Sequence, residues 1–164
     1  MRTLLLPALL AGCLHERPEA VLGRYLRAES DGRYQVAWEL LAPPDRAARP
    51  LEAYAADHTG AGLVWLAVAR QTRFEFGKPA PYDARPGDVV VDVVATHPQM
   101  RASADAIARA LGLPPDLPAD EVAERVEDAE RVIAALPVPQ VAEPIRYVLR
   151  PDDRSWLVWI GLSE

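Results

Sequence analysis

The apolar residues of this chain change period at Gln71, and that switch constrains the fold more than any other feature. Before it they recur three and four residues apart, the spacing that places side chains on one face of a helix. Val21, Leu22, Tyr25 and Leu26 form the first stripe, opened by Pro18 with Glu19 in its first turn and ended by Asp31-Gly32. Tyr34, Ala37, Trp38 and Leu41 form a second over about 33–42, which Pro43-Pro44 is expected to stop. A third helical segment begins near Pro50 with Leu51, Tyr54 and Ala55 apolar. Gly60-Ala61-Gly62 interrupts it before an apolar run over 63–69. After Gln71 the period becomes two: Thr72, Phe74 and Phe76 oppose Arg73 and Glu75. Residues 77–87 hold three prolines and read as an open connection. The stretch DVVVDVVAT, residues 88–96, is the clearest strand. It sets Val89, Val91, Val93 and Ala95 against Asp88, Val90, Asp92, Val94 and Thr96.

Helical spacing returns over 98–136. Ala104, Ile107, Ala108 and Leu111 make a stripe closed by Gly112, a residue suited to the left-handed turn after a helix. A proline loop over 114–118 leads to a helix from about 119, with Val122, Val126, Ala129, Ile133 and Leu136 apolar. Glu121/Arg125 and Glu127/Arg131 are favourably oriented pairs on its solvated face. Strands over 145–150 and 155–162 follow, joined by Pro151-Asp152-Asp153-Arg154. The order is therefore three helices, two strands, a helical insertion and two strands. Antiparallel strands joined locally, with helices segregated to one side, make an α+β domain: N-terminal helices packed on an antiparallel sheet.

Composition narrows the class. The 164 residues are 50% hydrophobic and 26% charged, enough for one domain with a substantial core. The net charge of -6 lacks the electrostatic footprint of a nucleic-acid binder. A single cysteine excludes an intrachain disulfide and a cysteine-rich zinc site. His15, His58 and His97 show neither HxH nor HExxH spacing, so no metal is expected. GxGxxG, GxxxxGK[ST] and GxSxG are all missing, so no nucleotide cofactor and no α/β-hydrolase chemistry are expected.

The N-terminus carries an address. Arg2 precedes the apolar stretch LLLPALLA, too short to span a bilayer but long enough for the apolar region of a secretory signal. Leu10-Ala11-Gly12-Cys13 resembles the bacterial lipobox, in which a peptidase cuts before a cysteine that takes lipid on its thiol. That resemblance implies a signal peptide over 1–12, lipidation of Cys13, a tether over 13–17 and a single domain over 18–164. An acylated cysteine with more than one chain anchors stably. Leu14, standing where an aspartate would favour inner-membrane retention, leans the expectation toward a periplasm-facing outer-membrane lipoprotein.

Within the folded part, PEAVLGRYLRAESDGRYQVAWELLAPPDRA resembles the paired opening helices of small bacterial lipoproteins of the nuclear-transport-factor-2-like superfamily. GDVVVDVVATHP resembles their second strand and DRSWLVWIGL their last. The resemblance implies a cone-shaped sheet around a pocket, which Tyr25, Trp38, Tyr54, Phe74 and His97 are expected to line. No catalytic residue carries over, and the inward faces of the first two strands hold no carboxylate. Asp88 and Asp92, on the opposite face, are expected to pair with Arg73, Arg146 or Arg150. Trp38, Phe74 and Val91 are expected to be nearly buried. In the last strand Trp156, Val158 and Ile160 alternate with Leu157 and Trp159, so both faces are apolar. Leu157 and Trp159, facing outward near Val90 and Val94, are expected to form a partner surface for a second copy or an envelope protein. The leading expectation is a lipid-anchored envelope protein with a non-enzymatic binding or scaffolding role. The alternative is an enzyme or carrier that uses the cavity on a small apolar molecule, with His97 or a carboxylate as base.

Overall fold

The computed structural model describes residues 16–59, 62–113, 119–153 and 155–161. The expectations for the signal peptide, Cys13, His15, the Gly60-Ala61 break, the 114–118 loop and Leu162 lie outside the described residues.

Five helices open the domain: α1 (Pro18–Ser30), α2 (Tyr34–Glu39), α3 (Pro43–Ala48), α4 (Leu51–Thr59) and α5 (Leu63–Arg70). Strands β1 (Arg73–Phe76), β2 (Ala80–Pro81) and β3 (Val89–Pro98) follow, then α6 (Met100–Leu111) and α7 (Ala119–Ala135). The last strands are β4 (Gln140–Asp152) and β5 (Ser155–Trp159). The fold is α+β, with one open, five-stranded antiparallel sheet of order β1-β3-β4-β5, and β2 beside β1 along the same edge of β3.

α2 ends at Glu39, short of the expected 42, and Pro43-Pro44 opens α3 instead of stopping α2. Proline costs nothing at the first positions of a helix, where its missing N–H has no partner to lose. Between α2 and α3 the chain lies against β5. The Val158 N–H donates to the Leu40 carbonyl and the Ala42 N–H to the Val158 carbonyl, both at 2.8 Å. This covers what would be a bare sheet edge. Asp45, fully buried in α3, accepts the Ile160 N–H at 2.9 Å and ties the end of the chain to the same place. Gly112 sits at φ 64° after α6, as its position predicts.

Two strands are longer than their patterns indicated, and a short one lies in the connection read as open. Ala80 and Pro81 pair with Val90 and Val89. β3 continues through His97 and Pro98. β4 begins at Gln140 rather than at Ile145, because its first residues pair with β3 while β5 reaches only Val148 to Asp152. Pro144 falls on that unpaired side, where a residue without an N–H is tolerated.

The apolar residues form two cores. In one, α1, α2 and Tyr54 of α4 pack on the inner face of the sheet, burying Val21, Leu22, Leu41, Val91, Val93, Leu149 and Val158. In the other, α5, α6 and α7 pack together around Leu63, Ala67, Ile107, Val126 and Ile133. The helical insertion thus extends the domain sideways through α5. Val91 is fully buried as expected, but Trp38 and Phe74 are only half-buried. The Trp38 indole lies under the Arg46 guanidinium and donates to the Arg49 carbonyl at 2.8 Å. Phe74 faces an open cleft.

On the outer face the acid–base pairs are those expected. Arg146 grips Asp92 with two hydrogen bonds of 2.7 and 3.3 Å, and Arg150 lies 3.3 Å from buried Asp88. The Arg146 contact holds the exposed Asp92 carboxyl below the usual carboxylate range.

Candidate functional site

A cleft of about 460 Å³ opens where the two cores meet. One wall is α1, another is α5, and the floor is the inner face of β1, β3 and β4. Local geometry places its side chains. Tyr25 and Glu29 lie four residues apart on α1 and so share a helix face. On β4, Glu143, Ile145 and Tyr147 alternate toward the helices, opposite Ala95, Val93 and Val91 of β3. His97 follows Ala95 at the same parity. Trp65 and Met100, each 37% exposed, complete the lining from the other core.

Behind Tyr25 runs a buried polar chain. Its hydroxyl lies 3.3 Å from that of Tyr54, which donates to Glu29 Oε1. The other Glu29 oxygen lies 3.1 Å from His58 Nε2, and His58 Nδ1 lies 2.7 Å from the Tyr54 carbonyl. His58 packs between the Tyr34 and Tyr54 rings, with centroids 5.0 and 4.8 Å away. Burial, and after it the Glu29 charge, raises the hydroxyls of Tyr25 and Tyr147 above the usual tyrosine range. The Tyr54 hydroxyl is raised too, by burial first and then by the neighbouring Tyr25. All three therefore stay protonated and able to donate. At the far side, His97 Nδ1 is 3.0 Å from the Pro98 carbonyl, and Nε2 is 3.6 Å from Glu143 Oε1.

The structure brings Tyr25, Phe74 and His97 together in this cleft and leaves two of the expected lining residues out. Trp38 is turned toward Arg49, and the Tyr54 ring is buried one layer back, reaching the site only through its hydroxyl. Among the lining residues outside the expected set are Glu29, Trp65, Glu143 and Tyr147. Glu29 was legible as the residue one turn after Tyr25. Glu143 and Tyr147 share the parity of Ile145, but Glu143 lay outside the strand as first bounded. Trp65 lies in the apolar run over 63–69, where spacing alone does not separate core from lining. The two carboxylates of the cleft come from α1 and β4, while the inward faces of β1 and β3 hold none.

Leu157 and Trp159 do face outward, and both are half-buried. Arg150 covers the Trp159 ring at 4.4 Å, with Arg85 at 5.8 Å and the Tyr82 ring at 6.3 Å. Among the described residues no group of three His, Cys, Asp or Glu is placed to hold a metal ion. No helix among them is long and apolar enough to cross a membrane. Comparison with known proteins adds no assignment: no family profile, no curated protein and no solved structure matches the chain.

Proposed function

We propose that this protein is a lipid-anchored component of a bacterial cell envelope, held to the outer membrane through Cys13, whose domain binds a small, largely apolar molecule in the cleft between its two cores. The observation that carries this reading is the lining itself. Trp65, Met100, Phe74 and Ile145 supply apolar surface around a few polar groups, Tyr25, Glu29 and His97, which is the general form of a small-molecule site. Trp65 and Met100 are large apolar side chains left partly in water at the cleft, and a ligand would cover them. Scaffolding through Leu157 and Trp159 has less support, because the protein's own Arg150, Arg85 and Tyr82 shield Trp159.

The experiment fills the cleft from within. Ala69 is half-buried on its α5 wall, so Ala69→Trp projects an indole into the space. Full-length protein in phosphatidylcholine nanodiscs is titrated calorimetrically with uncharged 2-phenylethanol, using empty nanodiscs as the control. Wild type should give saturable binding that Ala69→Trp weakens at least tenfold, with no drop in melting temperature. Equal binding by the two proteins would remove the cleft from the account.

A further inference from the structure

We infer that the molecule this cleft selects is an organic cation, an amine carried on an aromatic or other apolar body. The inference rests on reading the cleft as a binding site and adds the charge of its ligand. The charged groups facing the cleft are one-sided. Glu29 and Glu143 line it together with His97, and no Arg or Lys is found among its described lining residues. Glu29 is the important one, because its side chain is only 18% exposed and its charge is poorly screened there. That charge is felt across the site, since after burial it is what raises the hydroxyls of both Tyr25 and Tyr147 on facing walls.

Nearby cations are directed elsewhere. Arg70 leaves α5 toward Glu130 of α7 at 3.0 Å, and Arg24 pairs with Glu16 at the start of the chain. His58 stands behind Glu29, on the Tyr54 side. An anionic ligand would therefore enter a site with two carboxylates and no guanidinium or ammonium to receive it. A neutral alcohol would gain hydrogen bonds without a favourable charge term. An ammonium supplies donors only, while a carboxylate offers about four acceptor positions, of which Glu29 commits one to Tyr54, with His58 Nε2 3.1 Å from its other oxygen. The walls agree with this choice. The rings of Tyr25, Trp65, Phe74 and Tyr147 border the same space, and aromatic faces attract a cation that has shed part of its water.

Three probes of nearly equal shape separate the possibilities: 2-phenylethylamine, 2-phenylethanol and phenylacetate, titrated calorimetrically into the full-length protein in phosphatidylcholine nanodiscs at pH 7. The amine should bind at least tenfold more tightly than the alcohol, with phenylacetate weakest. Glu29→Gln should remove most of that advantage. Glu143→Gln, at an exposed position, should reduce it severalfold and serves as the control if Glu29→Gln fails to fold. Equal binding of amine and alcohol, or tightest binding of phenylacetate, would overturn the cation while leaving the cleft in place. An amine preference that survives intact in both glutamine variants would also overturn it. If none of the three binds, the reading of the cleft as a site falls and the inference falls with it.

Discussion

Replacing Leu149 with alanine should lower the unfolding free energy by about 3–5 kcal/mol, enough to leave a marginal domain largely unfolded at growth temperature. Leu149 is fully buried, in the stretch 148–149 where β4 is paired on both sides, with Val89 opposite it on β3 and Val158 on β5. Truncation removes three carbons from a position where two strands and α1 have no freedom to collapse inward, so the lost transfer energy and the cavity add. The same change at Phe74 should cost less despite its larger ring, because Phe74 is half-buried and already borders open space. Chemical denaturation of the two variants beside wild type checks the order. A loss below 1 kcal/mol for Leu149→Ala, or a larger one for Phe74→Ala, would mean that the sheet does not carry its core where the structure places it.

Changing Cys13 to alanine should move the protein out of the membrane fraction altogether. The cysteine is the only thiol in the chain and stands directly after Leu10-Ala11-Gly12, where the proposed anchor requires it. One acyl chain gives reversible membrane contact and two or more give stable anchoring, so losing the attachment point is an all-or-none change in partitioning. Fractionation of the native host, with mass measurement of the N-terminal peptide, reads it. Wild type should begin at an acylated Cys13 and pellet with the envelope, and the variant should carry no lipid. An intact Met1 on wild-type protein would end the proposal for the anchor and leave the cleft to be judged separately.

Periodic pattern explains which parts of this fold were legible and which were not. The stripe of α1 and the alternation in β3 arise from residues that face one core, so the pattern and the burial coincide. The faces of β5 were legible for the same reason: Trp156, Val158 and Ile160 do meet the helices, and Leu157 and Trp159 do face outward. In α6 the buried residues are instead Ser103, Ala106 and Ile107, with Ala108 exposed, and Leu136, read into the stripe of α7, is exposed beyond its end. Pattern failed where one residue answers to two demands. Pro43-Pro44 reads as a helix stop but begins a helix, and α2 already ends at Glu39, where Leu40 to Ala42 turn to bond β5. Glu143 reads as a surface residue before a proline, yet pairing with β3 extends β4 past it and turns it toward the cleft. Asp45 reads as an acidic first-turn residue of the kind helices favour. Its burial against the Ile160 N–H depends on a contact 115 residues away, which no local spacing reveals. The site suffered most, because Glu29, Trp65 and Glu143 come from three elements whose convergence is a property of the two-core packing.

The cleft is tested most directly by the indole N–H resonances of the four tryptophans, followed by 15N–1H correlation spectroscopy while 2-phenylethylamine is added to the full-length protein. Trp65 lines the cleft; Trp38 is bonded to the Arg49 carbonyl, Trp156 packs in the sheet core, and Trp159 lies on the outer face. A ligand seated between the two cores should shift the Trp65 resonance progressively and saturably, and leave Trp159 where it was. Movement of Trp159 with Trp65 unchanged would place recognition on the outer face of the sheet and contradict the account.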